Sequence, residues 1–421
     1  MLESNLVIPN PKNSRNGASR LYRYYAAYSG EFAQIMLSQL APSNGALVLD
    51  PWDGSGTTTA AASNLGFKAI GLDLNPATRI VAHARFSSQA DAERVKKALE
   101  LLPLNGVPAR QEDWSEDDLL TSWFTPNTVR TIRSIQKLAQ DRLQDSNRVS
   151  RKTSNALTFL AVSLFQLVLF RTVRQLARQF FASNPTWISI PRAEENKVDC
   201  SAQDFVACLS SEISYISPLL RQDPISRSAL PHLQIAESQA LPLASESVGV
   251  ILTSPPYCTR IDYAMATKLE LAVLGLTKLE FSRLRIRLMG TTLTEKTVIQ
   301  HESSWGPTCS YFLNQVKKHP SAASSTYYYR GFLRYFADFF ASIAEISRVL
   351  IHNGSAVIVI RDSYYKDLHI DLSSIVQEMC QNCGLMVLNA YDFEQRSFGA
   401  INHRSHNRRK KAVETVLIAS K

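Results

Sequence analysis

Cysteine is scarce in this sequence. Its 421 residues hold six: Cys200, Cys208, Cys258, Cys309, Cys380 and Cys383. So sparse a set in so long a chain excludes a disulfide framework. Cys380 and Cys383 form one C-x-x-C pair, but no second pair or histidine set stands at zinc-ligand spacing. The pair reads as a helix end, with Gly384 as the residue that follows it. Long apolar runs are missing too. The longest, Ala156 to Phe170, falls short of the ~20 residues a membrane span requires and contains Ser163 and Gln166. A buried helix is expected there. The opening MLESNLVIPNPKNSR has no apolar core, so no signal peptide is expected. The expectation is a cytoplasmic protein with no membrane partner. Internal repeats and low-complexity tracts are absent as well.

Acidic residues are outnumbered, 37 against 46 lysines and arginines, for a net charge of +9. A basic excess suits a polyanionic partner such as nucleic acid, although charge alone separates few function classes. Two cofactor motifs are missing. No G-x-G-x-x-G pattern of the NAD type occurs, and no Gly-Lys-Ser/Thr of a phosphate-cradling loop follows the one glycine turn.

That turn lies in a clear pattern. Glu31 to Leu40 has helical spacing. Ala46 to Asp50 is a short apolar run ending in an acid, as in a buried parallel strand. Pro51-Trp52-Asp53-Gly54-Ser55-Gly56-Thr57-Thr58 follows, then a helix from Thr59 to Leu65 closed by Gly66, then a strand from Ala69 to Leu72 ending at Asp73. Strand, glycine turn, helix and strand open a Rossmann-like sheet. Gly54 and Gly56 allow close backbone approach to a ligand, and Asp73 is placed to accept hydrogen bonds from a ribose diol.

From about Pro76 to Leu230 the chain reads as helical and basic, with helices at Gln89–Leu102, Pro126–Leu143 and Asn155–Phe181. Strands return at Leu233–Ala236 and Ser247–Leu252. The second runs into Thr253-Ser254-Pro255-Pro256-Tyr257. Consecutive prolines stiffen this loop and offer no N–H, so it presents acceptors. Ser254 can accept through its hydroxyl, and Tyr257 offers a face on which a base can stack. An acceptor-rich, rigid loop suits an –NH2 group. Helical spacing covers Lys268–Leu276, whereas Ser282–Thr326 reads as irregular and polar. A helix is expected over Arg330–Leu350, a strand over Ser355–Arg361, a helix over Asp371–Cys383, and strands over Leu385–Leu388 and Thr415–Ala419.

Together these segments resemble the amino-methyltransferases that modify adenine N6 or cytosine N4 in DNA. Asp50 to Thr58 is similar to their cofactor motif, and Gly71-Leu72-Asp73-Leu74-Asn75-Pro76 to their second strand. Ala236-Glu237-Ser238 resembles the short acidic motif before the catalytic strand, with Glu237 where Asp is frequent. Tyr28 to Phe32 resembles the segment that packs on the methionine end of the cofactor. The strand with Arg361-Asp362-Ser363 and the closing Glu414 to Lys421 are similar to later family segments. The resemblance implies an α/β, Rossmann-like S-adenosylmethionine-dependent methyltransferase sheet with a helical insertion. Its parts would be an N-terminal arm with the cofactor motif (1–76), the insertion (77–230), and a second catalytic half with TSPPY, a variable loop over 259–326 and closing strands (231–421).

The implied cofactor is S-adenosyl-L-methionine, held by Tyr28, Phe32, Asp50, Pro51, Gly54, Ser55, Gly56, Thr57, Thr58, Asp73, Asn75, Glu237 and Ser238. The implied catalytic residues are Ser254, Pro255, Pro256 and Tyr257, with no metal. The implied partner is double-stranded DNA with its target base flipped out, and cognate restriction or defence proteins would accompany it by family habit. Ser-Pro-Pro-Tyr is typical of cytosine N4 enzymes; Asp or Asn before the prolines is typical of adenine N6 enzymes, which stand as the alternative. RNA amino-methyltransferases usually carry Asp or Asn there and a dedicated N-terminal domain, and only about 45 residues precede the first strand here. A catalytically silent nucleic-acid-binding subunit on the same fold is opposed by the intact Gly54, Gly56, Asp73 and Ser254–Tyr257. Carbon-5 methylation needs a cysteine nucleophile, usually after proline; Cys258 follows Tyr257 and reads as a packed thiol. Phosphate contacts are expected from Arg283, Arg285 and Arg287, and from the cluster His403–Lys411 with Arg404, Arg408, Arg409 and Lys410. His403 and His406 have no companion ligands.

Overall fold

A computed structural model of the chain describes residues 6–12, 21–22, 28–41, 45–103, 115–145, 154–181, 187–222, 225–227, 229–258, 262–291, 299–395 and 412–421. Seven strands make the main sheet: β1 (Leu47–Asp50), β2 (Lys68–Leu72), β3 (His232–Gln234), β4 (Val248–Thr253), β5 (Leu350–Arg361), β8 (Met386–Gln395) and β9 (Ala412–Ser420). Strands β6 (Ser363–Tyr365) and β7 (Leu368–Ile370) form a separate hairpin. The order across the sheet is β3-β2-β1-β4-β5-β9-β8. The first five strands in that order are parallel, and β9 runs antiparallel between β5 and β8.

The chain winds outward from β1 to β3 on one side and from β4 to β5 on the other. Between β1 and β4 the order reverses. In open α/β sheets the crevice beyond the carboxyl ends of the strands at such a reversal is where ligands bind. Asp50 ends β1 and Thr253 ends β4, so both sequence motifs converge there.

Strand alternation explains the two-faced core. Val48, Val250, Leu252, Val357, Val359, Val416 and Ile418 face one side, against the helices Gly30–Leu40 and Thr57–Asn64. Leu49, Ile251, Ile358, Ile360 and Leu417 face the other, against the helices Pro307–Lys318, Tyr329–Val349 and Leu372–Asn382. β4 is buried at every position, as expected of a central parallel strand.

A third core is all helical. Helices Pro76–Ala84, Gln89–Glu100, Pro126–Asp145, Ser154–Leu176 and Ala202–Gln222 build it. Residues that follow TSPPY join this core as well: Met265, Leu269, Leu271, Phe281 and Leu284. Arg133 ties them in. Its guanidinium pairs with Asp118 and donates to the carbonyls of Ala272 and Val273 at 2.6 and 2.7 Å. The apolar stretch Thr158–Leu176 is long and apolar enough to cross a membrane, but 67% of it is buried inside the protein.

One expectation is overturned. The irregular stretch Ser282–Thr326, within the variable loop expected over 259–326, is largely helical among its described residues. Lys278–Arg287 begins with a capping box from Thr277 and Glu280. Pro307 opens the helix Pro307–Lys318, which buries Cys309, Phe312, Leu313 and Val316, the spacing of a single helix face. The helix expected to reach Phe181 ends at Leu176, with a short 3-10 turn at Arg178–Phe180. The C-x-x-C pair does close a helix: Cys383 caps Leu372–Asn382 and Gly384 follows at φ 81°.

Candidate active site

β1 delivers Asp50 to the bottom of the crevice, where it is buried. Its carboxylate accepts from the hydroxyls of Thr253 and Thr58, each at 2.5 Å, and from the amide of Trp52 at 3.0 Å. Tyr28 also donates, at 3.4 Å. Burial outweighs these donors and pushes the carboxyl up to about 6. Asp50 therefore fastens the end of β1 to β4 and to the helix that follows the glycine turn. Asp53, also buried, accepts from the Thr59 hydroxyl at 3.1 Å, and burial with Asp50 nearby raises it well above the ordinary range. Gly71 leaves room for that carboxylate; a Cβ there would run into it.

Gly56 has a task within the chain itself. It caps the helix Thr57–Asn64 at φ 79°, and a Cβ on it would lie 2.7 Å from the Cβ of Ala82. The close approach it permits is between two helices of this chain. Thr58 is fully buried and its hydroxyl also donates to the Leu252 carbonyl at 3.1 Å. Phe32 is a core residue packed 5.3 Å from Tyr28.

Asp73, beyond β2, accepts from the amides of Gly54 at 3.1 Å and Asn75 at 2.8 Å. Desolvation still pushes its carboxyl up to about 6. Asn75 caps the helix Pro76–Ala84 and donates to the Thr267 hydroxyl at 2.8 Å, joining this turn to the segment after TSPPY.

These groups border a cleft that opens to solvent. Pro51, Asp73, Asn75, Glu237 and Ser238 line it together with Ser254 and Pro256. Its apolar walls include Leu74, Leu288 and Met289. A second, smaller cavity, also open to solvent, is bordered by Tyr28, Asp50, Asp53, Ser55 and Thr57. Trp52 and Ser254 border both. Sequence reasoning had not selected Trp52, Asp53, Tyr263 or Met289 as site residues. The first two stood inside the quoted motif; Tyr263 and Met289 carried no local signal, because only the folded chain brings them back to the crevice.

The TSPPY loop is held from several directions. Ser254 donates its hydroxyl proton to the Val359 carbonyl of β5 at 2.9 Å, which leaves its lone pairs as acceptors. The Pro256 carbonyl accepts from Tyr335 at 2.8 Å, and the Tyr257 amide donates to the Tyr263 hydroxyl at 3.1 Å. Tyr257 donates to Glu414 of β9 at 3.3 Å, and burial with that carboxylate raises its phenol above the ordinary range. Glu414 also pairs with Lys12 at 3.3 Å. Cys258 is buried and its thiol is pushed well up by burial, the opposite of an activated nucleophile.

Of the arginines expected to meet nucleic acid, Arg285 pairs with Asp262 at 2.7 Å and Arg287 with Glu237 at 2.8 Å on the rim of the cleft. Arg283 is exposed. Arg404, Arg408, Arg409 and Lys410, with His403 and His406, lie outside the described residues. Among the described residues no cluster of three or more His, Cys, Asp or Glu could hold a metal ion.

No family model matches the chain. It is 22% identical over 307 residues to the Type II methyltransferase M.BsoBI of Geobacillus stearothermophilus, an alignment covering 68% of this chain and 58% of that protein. It is 20% identical over 312 residues to the Type II methyltransferase M.AvaI of Nostoc sp., covering 70% and 61%. The chain thus spans about three fifths of the length of these relatives. A solved SAM-dependent methyltransferase from Methanosarcina mazei aligns over 90% of this chain and 94% of its own at 8% identity; its TM-score of 0.29 is too low to bear on the fold.

Proposed function

We propose that the chain transfers a methyl group from S-adenosylmethionine to the exocyclic N4 of cytosine in DNA, by direct attack of the amine on the methyl group. The observation that carries this reading is the position of Ser254, which borders both cavities and keeps its lone pairs free to accept. The likeness to Type II methyltransferases supports DNA as the substrate and a cognate restriction or defence protein as a partner.

The residues fit the cofactor. The larger cleft sets the carboxylate of Asp73 beside apolar walls, which suits a ribose diol beside an adenine. The smaller cavity sets the buried acids Asp50 and Asp53 around a space that suits an ammonium group. When bound, S-adenosylmethionine supplies an electrophilic methyl group. Asp73 would hold the ribose, and Glu237 and Ser238 the far end of the cleft.

An exocyclic amine is a poor nucleophile because its lone pair is delocalised into the ring. Ser254 would accept one amine hydrogen and the Pro255 carbonyl the other, turning the nitrogen toward sp3 character. The Pro256 carbonyl already accepts from Tyr335, so it is the less suited of the two proline carbonyls. Rate would come chiefly from positioning. In a duplex the target must leave the stack, and Tyr257 offers its ring to the flipped base. Incubation with radiolabelled cofactor and bacterial DNA tests the reading: label should enter DNA, and its rate of entry should fall on the order of 10²–10³-fold with Ser254→Ala. Label that appears only in RNA would defeat it.

A further inference from the structure

Residues Ser324–Tyr328 form one π-helical turn that leads into the helix Tyr329–Val349. It starts from Ala323, held at φ 62°. Single π turns are frequent at functional sites. This one displays Tyr327 and Tyr328, 40% and 37% exposed. Their rings are braced. Tyr327 meets Tyr328 edge-on at 5.1 Å, and Tyr328 lies 5.0 Å from Tyr365. Tyr365 is buried on Phe332 at 5.5 Å and bonded to the buried Ser324.

The helix that this turn leads into also holds the TSPPY loop, through the bond from Tyr335 to the Pro256 carbonyl. Tyr365 belongs to the β6–β7 hairpin, which follows the carboxyl end of β5, the same end of the sheet as Ser254. The surroundings are basic. Arg330 and Lys366 are exposed, as are Lys317 and Lys318. Two acids of the hairpin region are hydrogen-bonded to histidines, Asp362 to His369 at 2.7 Å and Asp367 to His319 at 2.8 Å.

We propose that this platform binds the DNA beside the flipped base, with Tyr327 and Tyr328 stacking on exposed base or sugar faces and Arg330 and Lys366 on phosphates. The inference rests on DNA being the substrate. Flipping a base strips its neighbours of a stacking partner, and aromatic rings restore that contact for any sequence. Cations around the rings supply the sequence-independent attraction to phosphate.

The test is fluorescence anisotropy with a labelled DNA duplex carrying one mismatched cytosine, with methyl transfer scored in the same samples. Replacing Tyr327 and Tyr328 together by Ala should weaken binding roughly tenfold or more, the scale of losing stacked rings. Replacing both by Phe should preserve it. Arg330→Ala with Lys366→Ala should lower the slope of log affinity against log salt by about 2. Unchanged affinity and slope, or a Phe pair as weak as the Ala pair, overturns the platform. Transfer by the unaltered protein with unchanged variant affinities sinks the platform alone. Weakened variants without any transfer sink the reaction and keep the surface.

Discussion

Tyr335 donates its hydroxyl proton to the carbonyl of Pro256 at 2.8 Å, and Tyr263 accepts from the next amide, that of Tyr257, at 3.1 Å. Both polar atoms of one peptide group are therefore held by phenols from two different bodies, the sheet-packed helix Tyr329–Val349 and the segment that joins the helical core. Removing the Tyr335 hydroxyl leaves a carbonyl unpaired, at a cost of about 1–3 kcal/mol. The loop relaxes to recover that cost, and small displacements are expensive in transfer reactions. Tyr335→Phe should lower kcat on the order of 10²-fold while the cofactor Kd stays near that of the unaltered protein. Equal loss in both would mean that the tyrosine merely supports the fold.

Gly56 predicts a stability effect. A methyl added there meets Ala82 at 2.7 Å and sits at φ 79°. Overpacking costs about 1–3 kcal/mol, and the left-handed backbone about 1 kcal/mol more. Gly56→Ala should lower the melting temperature measured by calorimetry, and adding Ala82→Gly should recover part of the loss. If the double variant melts no higher than the single one, the helix contact is not what requires glycine.

Asp73 predicts opposite pH trends for binding and folding. Its carboxyl titrates at about 6 in the fold, above its ordinary value. A ribose diol donates to the charged form, so cofactor affinity falls as pH drops below 6, by about tenfold from pH 7 to pH 5 for one group. For folding the sign reverses. Between the ordinary value and 6 the folded state keeps a proton that the unfolded chain has released, so this contribution to stability rises as pH falls through that window. Asp50 titrates at about 6 too, so the comparison is with Asp73→Asn. Calorimetric titrations should show a pH-dependent affinity that flattens in the variant; parallel curves would contradict the assignment.

The crevice was legible because its motifs are local. Leu47–Asp50 and Val248–Thr253 are apolar runs too short for helices, and each ends in a turn that no helix tolerates. The helix Pro307–Lys318 was missed although Cys309, Phe312, Leu313 and Val316 carry its period. The polar residues on both sides masked it. The hairpin β6–β7 has strands of three residues, too few for alternation to show. The role of Gly56 was unreadable for another reason: its partner, Ala82, meets it only in the folded chain. Tyr263 and Tyr335 were hidden in the same way.

Ser254 predicts the sharpest kinetic effect. Ala removes the acceptor but leaves the backbone of the loop. Transfer should fall on the order of 10²–10³-fold, the scale of losing one preorganised polar group at a transition state. Cofactor binding by calorimetry should persist. Activity above a tenth of the original would show that the hydroxyl does not take part.

The central claim is the base and atom that receive the methyl group. The direct measurement is digestion of DNA incubated with the protein and isotope-labelled cofactor, followed by mass spectrometry of the nucleosides. The account predicts labelled N4-methylcytosine. Labelled N6-methyladenine in its place, or no labelled nucleoside from DNA, would contradict it.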